Sequence, residues 1–280
     1  MKKTRKRFKV QPFSCFGKLV VLLYFLALTV PLSFAIVTSL KTEQERLVNP
    51  IGFPKDLTLA NFAEALEVGN LLNAFKNSLV IAGCSVFINL IFCIIVSYAL
   101  NRIRGYKVGQ FLYMFILFEM FIPSVGTATG LMLRRQLGLY NNLHGEIIAG
   151  AFGLSMTVFM ISSFLRTFPA ELEEAAILDG ASDTVICFNI VTPLIKPIIV
   201  SMAILNFKDK WNNALGPMLT LRDEKLYTLP MTLLLKFTKG TTIVYTTMFA
   251  GVIIAAIPVV VLYCMCQKQF TNALAGSLKG

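Results

Sequence analysis

Between Arg166 and Pro197 the sequence concentrates residues whose types and spacing point to a specific chemistry. Phe168-Pro169 stops a preceding helix, and Pro169 suits the first turn of a new one. Glu171, Glu173 and Glu174 then fall in that first turn, where carboxylates complement the helix dipole. Leu172, Ala175 and Ala176 share one small, shallow face at i, i+3, i+4. Asp179-Gly180 ends the helix, because Gly180 is free to take the left-handed cap conformation. Ser182 can cap a second short helix through Thr192, closed by Pro193 and Pro197. A first helix of about ten residues, roughly 15 Å long, with small apolar side chains flanked by acids, fits a groove on another protein. The alternative is a helix resting on the membrane surface. Three acids disfavour it, since the cytoplasmic leaflet is itself negative. The chemistry predicted here is recognition, not bond-making.

Other chemistries lack their residues. His144 is the only histidine, which excludes two-histidine zinc sites and disfavours a histidine proton relay. No G-x-x-x-x-G-K-[ST] occurs, so nucleotide binding through a P-loop is not expected of this chain. The six cysteines, Cys15, Cys84, Cys93, Cys187, Cys264 and Cys266, avoid the predicted external loops, so no disulfide framework is expected. A net charge of +11 invites a nucleic-acid reading. The cations are scattered over many loops with no concentrated stripe, which fits solvated flanks and anionic headgroups better.

The elements that position the loop are set by composition. Hydrophobic residues make up 56% and charged residues 15% of 280, against about 25% charged in an ordinary soluble domain. Such a chain cannot cover its own core with polar surface. Uncharged or nearly uncharged runs occur at Leu19–Leu40, Asn77–Asn101, Val108–Leu133 (Glu119 its only charge), Ile147–Leu165, Pro197–Leu221 (interrupted by Lys208-Asp209-Lys210) and Gly240–Gln267. About 20 residues cross the hydrocarbon. The expectation is an all-α integral membrane protein with six transmembrane helices: a basic terminus at 1–18, spans within 19–267, a tail at 268–280, and the loop 166–197 between helices four and five. Seven cations among the first 18 residues, with Arg102, Arg104 and Lys107 in a short loop, favour cytoplasmic termini. Ser33-Phe34-Ala35 resembles a signal cleavage site, but the apolar run is too long for one and five further spans follow. Pro123 predicts a kink, and Gly126 with Gly130 a close helix contact.

Polar residues inside spans are costly and usually face a cavity or a partner. By that reasoning Glu119, Lys208, Asp209, Lys210, Trp211 and Asn212 are candidates for a solute path. Asp209 equally suits an ion pair with its lysine neighbours, and Glu119 a cation on a partner. Trp211, the sole tryptophan, suits an interfacial anchor as well as a stacking platform.

The loop also carries a resemblance. Glu174-Ala175-Ala176, three residues, Gly180, nine residues, Ile190, one residue, then Thr192-Pro193 resembles the EAA loop of bacterial ABC import permeases. The string Glu173 to Ala181, Pro193-Leu194-Ile195-Lys196-Pro197, Trp211-Asn212 and the tail from Gln267 are similar to the carbohydrate branch, closest to the six-span permease of maltose-type importers. Thr192 departs from the usual leucine, which predicts looser local packing. The resemblance implies a non-catalytic permease in the bacterial cell membrane, forming half of a heterodimeric pore for a sugar. It implies a second permease subunit, cytoplasmic ATPase subunits holding ATP and Mg²⁺, and an extracellular solute-binding protein, with no cofactor on this chain. Glu171, Glu173, Glu174, Ala175, Ala176, Asp179 and Gly180 would form the coupling helix against the ATPase. In the loop Arg222–Lys239, Tyr227 and Phe237 would reach toward the binding protein. An importer for another solute class, or a secondary transporter with paired half-helices, are the competing readings.

Overall fold

The computed structural model describes residues 13–122, 128–168, 171–239 and 242–277. Pro123, Gly126, Pro169, nearly all of the basic terminus and the last residues of the tail lie outside the described residues. Helices are α1 (Phe13–Ser39), α2 (Glu43–Val48), α3 (Ala60–Val68), α4 (Leu71–Arg102), α5 (Lys107–Phe118), α6 (Ala128–Gln136), α7 (Leu143–Ala151) and α8 (Ser155–Leu165). They continue as α9 (Glu171–Leu178), α10 (Asp183–Val185), α11 (Thr192–Leu194), α12 (Lys196–Trp211), α13 (Leu215–Thr220), α14 (Leu229–Lys236) and α15 (Tyr245–Ser277). The only pairing of extended segments among the described residues is the two-residue ladder Thr238–Lys239 with Thr242–Ile243.

Among the described residues, four helical stretches are long and apolar enough to cross a membrane: Phe16–Ser39, Leu71–Arg102, Leu143–Leu165 and Tyr245–Met265. A fifth arises if Asp183–Leu194 and Lys196–Trp211, bent by 79°, count together. The expected third span is not one helix. α5 stops at Phe118, a 3₁₀ turn follows at Glu119–Phe121, and Ile122 is extended at φ −94°, ψ 120°. A residue before proline is pushed out of the α region, and Ile122 precedes Pro123. The expected fifth span is likewise two helices, α12 and α13, parted at Asn212–Ala214.

The chain divides into two compact units. One holds the residues up to Ala65 together with Phe237–Ile253. In it the most apolar stretch of α1 is wholly unburied, as a lipid-facing helix would be. Behind α1 the chain turns through a polar knot. Asn61 Nδ2 donates to the carbonyls of Ser39 (2.7 Å) and Lys41 (2.6 Å). Lys41, 0% exposed, donates through Nζ to the Asn49 carbonyl at 2.8 Å, a bond that offsets part of the cost of burying its charge. Burial acts to raise the Glu43 carboxyl pKa, but hydrogen bonds from Arg46 and Thr246 outweigh it and hold the group below its ordinary value.

The second unit runs from Leu66 to Lys236 and resumes at Ile254. Its axis is α4, against which α7, α8 and α12 pack. Ser85, Asn89, Cys93 and Ser97 recur every four residues along α4 and are buried. Their donors meet backbone carbonyls of the neighbouring span: Ser85 Oγ to Ile147 (3.0 Å), Asn89 Nδ2 to Ala151 (2.8 Å) and Gly153 (2.9 Å), Cys93 Sγ to Leu154 (3.8 Å), Ser97 Oγ to Val158 (3.4 Å). The span breaks at Phe152–Leu154, between α7 and α8. A break frees carbonyls and N–H groups that hydrocarbon cannot satisfy, and the α4 ladder takes up the carbonyls. The close approach this needs is made at Gly150, where an added Cβ would come within 2.5 Å of Ser85 Oγ and 2.9 Å of its Cβ.

Candidate functional site

The loop helix is described over Glu171–Leu178, eight residues where about ten were expected. α9 begins with Glu171, Glu173 and Glu174 in its first turn. It ends in a Schellman arrangement: Ala181 N–H donates to the Ala176 carbonyl (3.0 Å) and Gly180 N–H to that of Ile177 (2.9 Å). Gly180 has φ +79°. The Ser182 hydroxyl accepts from Val185 N–H at 3.5 Å, starting α10. The second helix is not regular, however. Residues Ile186–Val191 form a π-helical turn, and the chain continues through Pro193 to bend at Ile195 before α12. Thr192 suits this turn, since its hydroxyl donates to the Cys187 carbonyl five residues back at 2.8 Å. A leucine here could not make this bond.

Which face of α9 is free differs from the expectation. Ala176 is only 8% exposed and joins the cluster of Leu165, Ile186, Cys187 and Ile195, so it anchors the helix to its own chain. Glu173 also turns inward, to Arg102 Nε at 3.4 Å. Arg102 closes the end of α4, pairs with Asp183 at 2.9 Å, and donates to the Tyr98 hydroxyl at 2.8 Å. One guanidinium thus ties α9 and α10 to α4. The face left open carries Glu171, Glu174, Ala175 and Leu178 at i, i+3, i+4, i+7, with Leu178 88% exposed. Asp179 and Gly180 are exposed at its end.

A cavity of about 460 Å³ lies among α4, α7, α8, α12, α13 and the residues near Glu119. Glu119 lines it, and its Oε2 accepts from the N–H groups of Leu154 (3.2 Å) and Ser155 (3.1 Å). It caps α8 across the break, which explains a carboxylate within an apolar run. Asn206 donates to Asn89 Oδ1 (3.2 Å) and Thr157 Oγ1 (3.0 Å) on the same wall. Glu146, buried, accepts from Arg134 at 2.6 Å and from the Thr220 hydroxyl. Lys210 lines the cavity too.

The other candidates stand elsewhere. Lys208 and Asp209 pair with each other at 3.2 Å, largely exposed, and do not line this cavity. Asn212 is exposed, and its neighbour Asn213 faces the cavity. Trp211 is 1% exposed. Its Nε1 donates to the Ala255 carbonyl at 3.0 Å, and its ring stacks on Phe207 and meets Phe75 edge-on. It is a core residue, neither an interfacial anchor nor a sugar platform. Trp211→Ala should lower stability by about 3–5 kcal/mol, seen as reduced thermal stability of purified protein. The transport KM of the surviving fraction should stay unchanged, and a shifted KM with normal stability would overturn the core assignment. Phe237 is 3% exposed and cannot present its ring to a partner. Tyr227 is half-buried, with its carbonyl accepting from Asn77 at 3.0 Å.

Sequence reading missed Arg102, Arg134, Glu146, Asn206 and the α4 ladder. Only the four-residue recurrence of small polar residues in the second span was there to signal any of them. Among the described residues no group of three or more His, Cys, Asp or Glu could hold a metal ion.

Residues 90–268 match the family model described as binding-protein-dependent transport system inner membrane component. The chain is 32% identical over 253 residues to the probable starch degradation products transport system permease protein AmyC of Thermoanaerobacterium thermosulfurigenes, covering 89% of this chain and 91% of the relative. It is 33% identical over 255 residues to the melibiose/raffinose/stachyose import permease protein MelC of Bacillus subtilis (strain 168), covering 90% and 91%. Its fold is similar to a chain in the crystal structure of a bacterial ABC transporter involved in the import of the acidic polysaccharide alginate. There the TM-score is 0.82 at 24% identity, over 95% of this chain and 100% of that one.

Proposed function

The chain belongs to the family of binding-protein-dependent transport system inner membrane components, and from that membership we propose that it carries an oligosaccharide inward as half of a heterodimeric pore. Relatives named for starch degradation products and for melibiose, raffinose and stachyose support the solute class. The cavity's volume falls within the range of about 300–1,000 Å³ usual for small-molecule sites, and its wall offers Asn, Ser and Thr groups suited to sugar hydroxyls.

The observation that carries the coupling assignment is α9. It is a capped helix, tied to α4 by Arg102, that leaves Glu171, Glu174, Ala175 and Leu178 uncovered. A separate cytoplasmic ATPase, holding ATP and Mg²⁺, would seat this face in a cleft. Its closure on nucleotide would move α9 and, through Arg102 and the bend at Ile195, re-angle α4 and α12. Differential binding of nucleotide to one conformation drives such a change. In this reading six spans place both termini in the cytoplasm, the interrupted α5–α6 and α12–α13 segments each counting as one. A binding protein delivers solute at the opposite surface, where the loop around Tyr227 packs on the start of α4.

Purification of the tagged chain from its host in mild detergent tests the assignment. A P-loop ATPase and a second permease should accompany it, and ATP hydrolysis by the complex should rise with a cognate oligosaccharide plus its binding protein. A chain that emerges alone or only with itself would sink the coupling assignment and favour a secondary transporter.

A further inference from the structure

At the ends of α4 and α8, beside the start of α5, lies a second cleft of about 300 Å³. Arg104 and Arg166 line it, and unlike Arg102 nearby, neither forms an ion pair among the described residues. The Arg166 guanidinium lies 5.1 Å from the centroid of the Tyr113 ring, which holds it in the cleft wall. Ser162 stands on the same wall, 4% exposed, and its hydroxyl has no hydrogen-bond partner. A buried hydroxyl left unpaired costs about 1–3 kcal/mol. Arg104 and Arg166 are exposed, and the adjoining cleft that they also line carries Glu173 and Glu174. On the side facing Tyr113 and Met114 their charge meets no carboxylate among the described residues, which leaves that wall suited to an anionic acceptor.

The surroundings specify which one. The cleft sits where two candidate spans terminate, Arg102 being the last residue of α4 and Leu165 that of α8. That is headgroup depth for helices crossing a bilayer. Leu100 and Met114 add apolar wall to the cleft, and α5 carries exposed Phe111 and Phe115 beside it. A free anion has no use for such a wall, whereas an acyl chain does. We propose that this cleft binds the phosphodiester headgroup of an anionic phospholipid, with Arg104 and Arg166 on the phosphate and the acyl chain along α5. The leaflet rests on the orientation given above, which places this end at the anionic cytoplasmic face. The contact gives the lipid a hold on the same short segment, Arg102 to Arg104, that restrains α9.

The test uses the full chain, purified with the subunits that accompany it, and native mass spectrometry after incubation with phosphatidylglycerol or phosphatidylcholine. The wild type should retain phosphatidylglycerol in preference to phosphatidylcholine, and millimolar inorganic phosphate should not displace it. Arg104→Gln/Arg166→Gln should weaken retention on the order of tenfold, while Arg104→Lys/Arg166→Lys should hold most of it. Arg135→Gln/Arg222→Gln, which removes two cations elsewhere, should leave retention unchanged. Equal retention of phosphatidylcholine, displacement by phosphate, or no loss in the glutamine variant would each overturn the site. The orientation is read separately from Gly105→Cys. Labelling of that cysteine by a membrane-impermeant maleimide in intact cells would overturn the cytoplasmic assignment and leave the headgroup site standing.

Discussion

Gly180→Val is expected to cut solute uptake at least tenfold while the chain stays in the membrane at normal abundance. Gly180 has φ +79°, where an L residue costs roughly 1–2 kcal/mol and a β-branched one more. A Cβ placed there meets nothing within 4 Å, so the effect comes from the backbone conformation and not from a clash. Valine would open the Schellman turn that links α9 to α10, and the stripe of Glu171, Glu174, Ala175 and Leu178 would lose its angle to α4. Asparagine tolerates the left-handed region, so Gly180→Asn should transport nearly as well as wild type. Uptake assays in cells, normalised to membrane abundance, decide the matter. Normal transport by Gly180→Val would remove α9 from the coupling role.

Asn89→Leu should be the most destabilising polar substitution within the spans, by about 2–4 kcal/mol. It deletes both donors that reach Ala151 and Gly153 and the acceptor used by Asn206. Two backbone carbonyls at the break in the span would then lie buried without partners. Asn206→Leu removes that third bond and the one to Thr157 but leaves both carbonyls satisfied, and should cost about 1 kcal/mol. Thermal unfolding of the purified complex in one detergent ranks the two. Equal losses would show that the break is not held by Asn89.

What could be read from the sequence depends on how local its cause is. The end of α9 follows from Gly180 and Ser182 acting within one turn, and the helix closes there. It is described over Glu171–Leu178, eight residues against the about ten expected, and its expected start at Pro169 lies outside the described residues. Which side of α9 is buried follows from where the chain's own core lies. Leu172, Ala175 and Ala176 looked like one docking face, yet Ala176 is drawn in against Ile186 and Leu178 is left out. The same limit applies to the path residues. Counting charges in apolar runs picked out Glu119 and Lys210, which face the cavity, but equally Lys208, Asp209 and Asn212, which do not. Glu146 and Arg134 escaped because they flank the runs, and Asn89 because an uncharged amide does not interrupt one. Trp211 was ambiguous for a different reason: a lone indole reads alike as anchor, platform or core until its N–H partner, Ala255, is known.

The ladder along α4 has a consequence for how this family of pores can diversify. The rungs at Ser85, Asn89 and Ser97 end on main-chain oxygens of the neighbouring span, and Cys93 divides its thiol between the Leu154 carbonyl and Asn89 Oδ1. Every amino acid presents a main-chain oxygen. The Met156 side chain, which lines the cavity, can therefore be exchanged without disturbing these bonds, whereas Phe152 also meets Phe92 of α4 ring to ring at 5.4 Å. Saturation libraries at position 156 and at positions 85 and 89 should tolerate wide variation at the first and little at the other two. Selectivity would thus be free to drift on one helix while its neighbour keeps the fold in register.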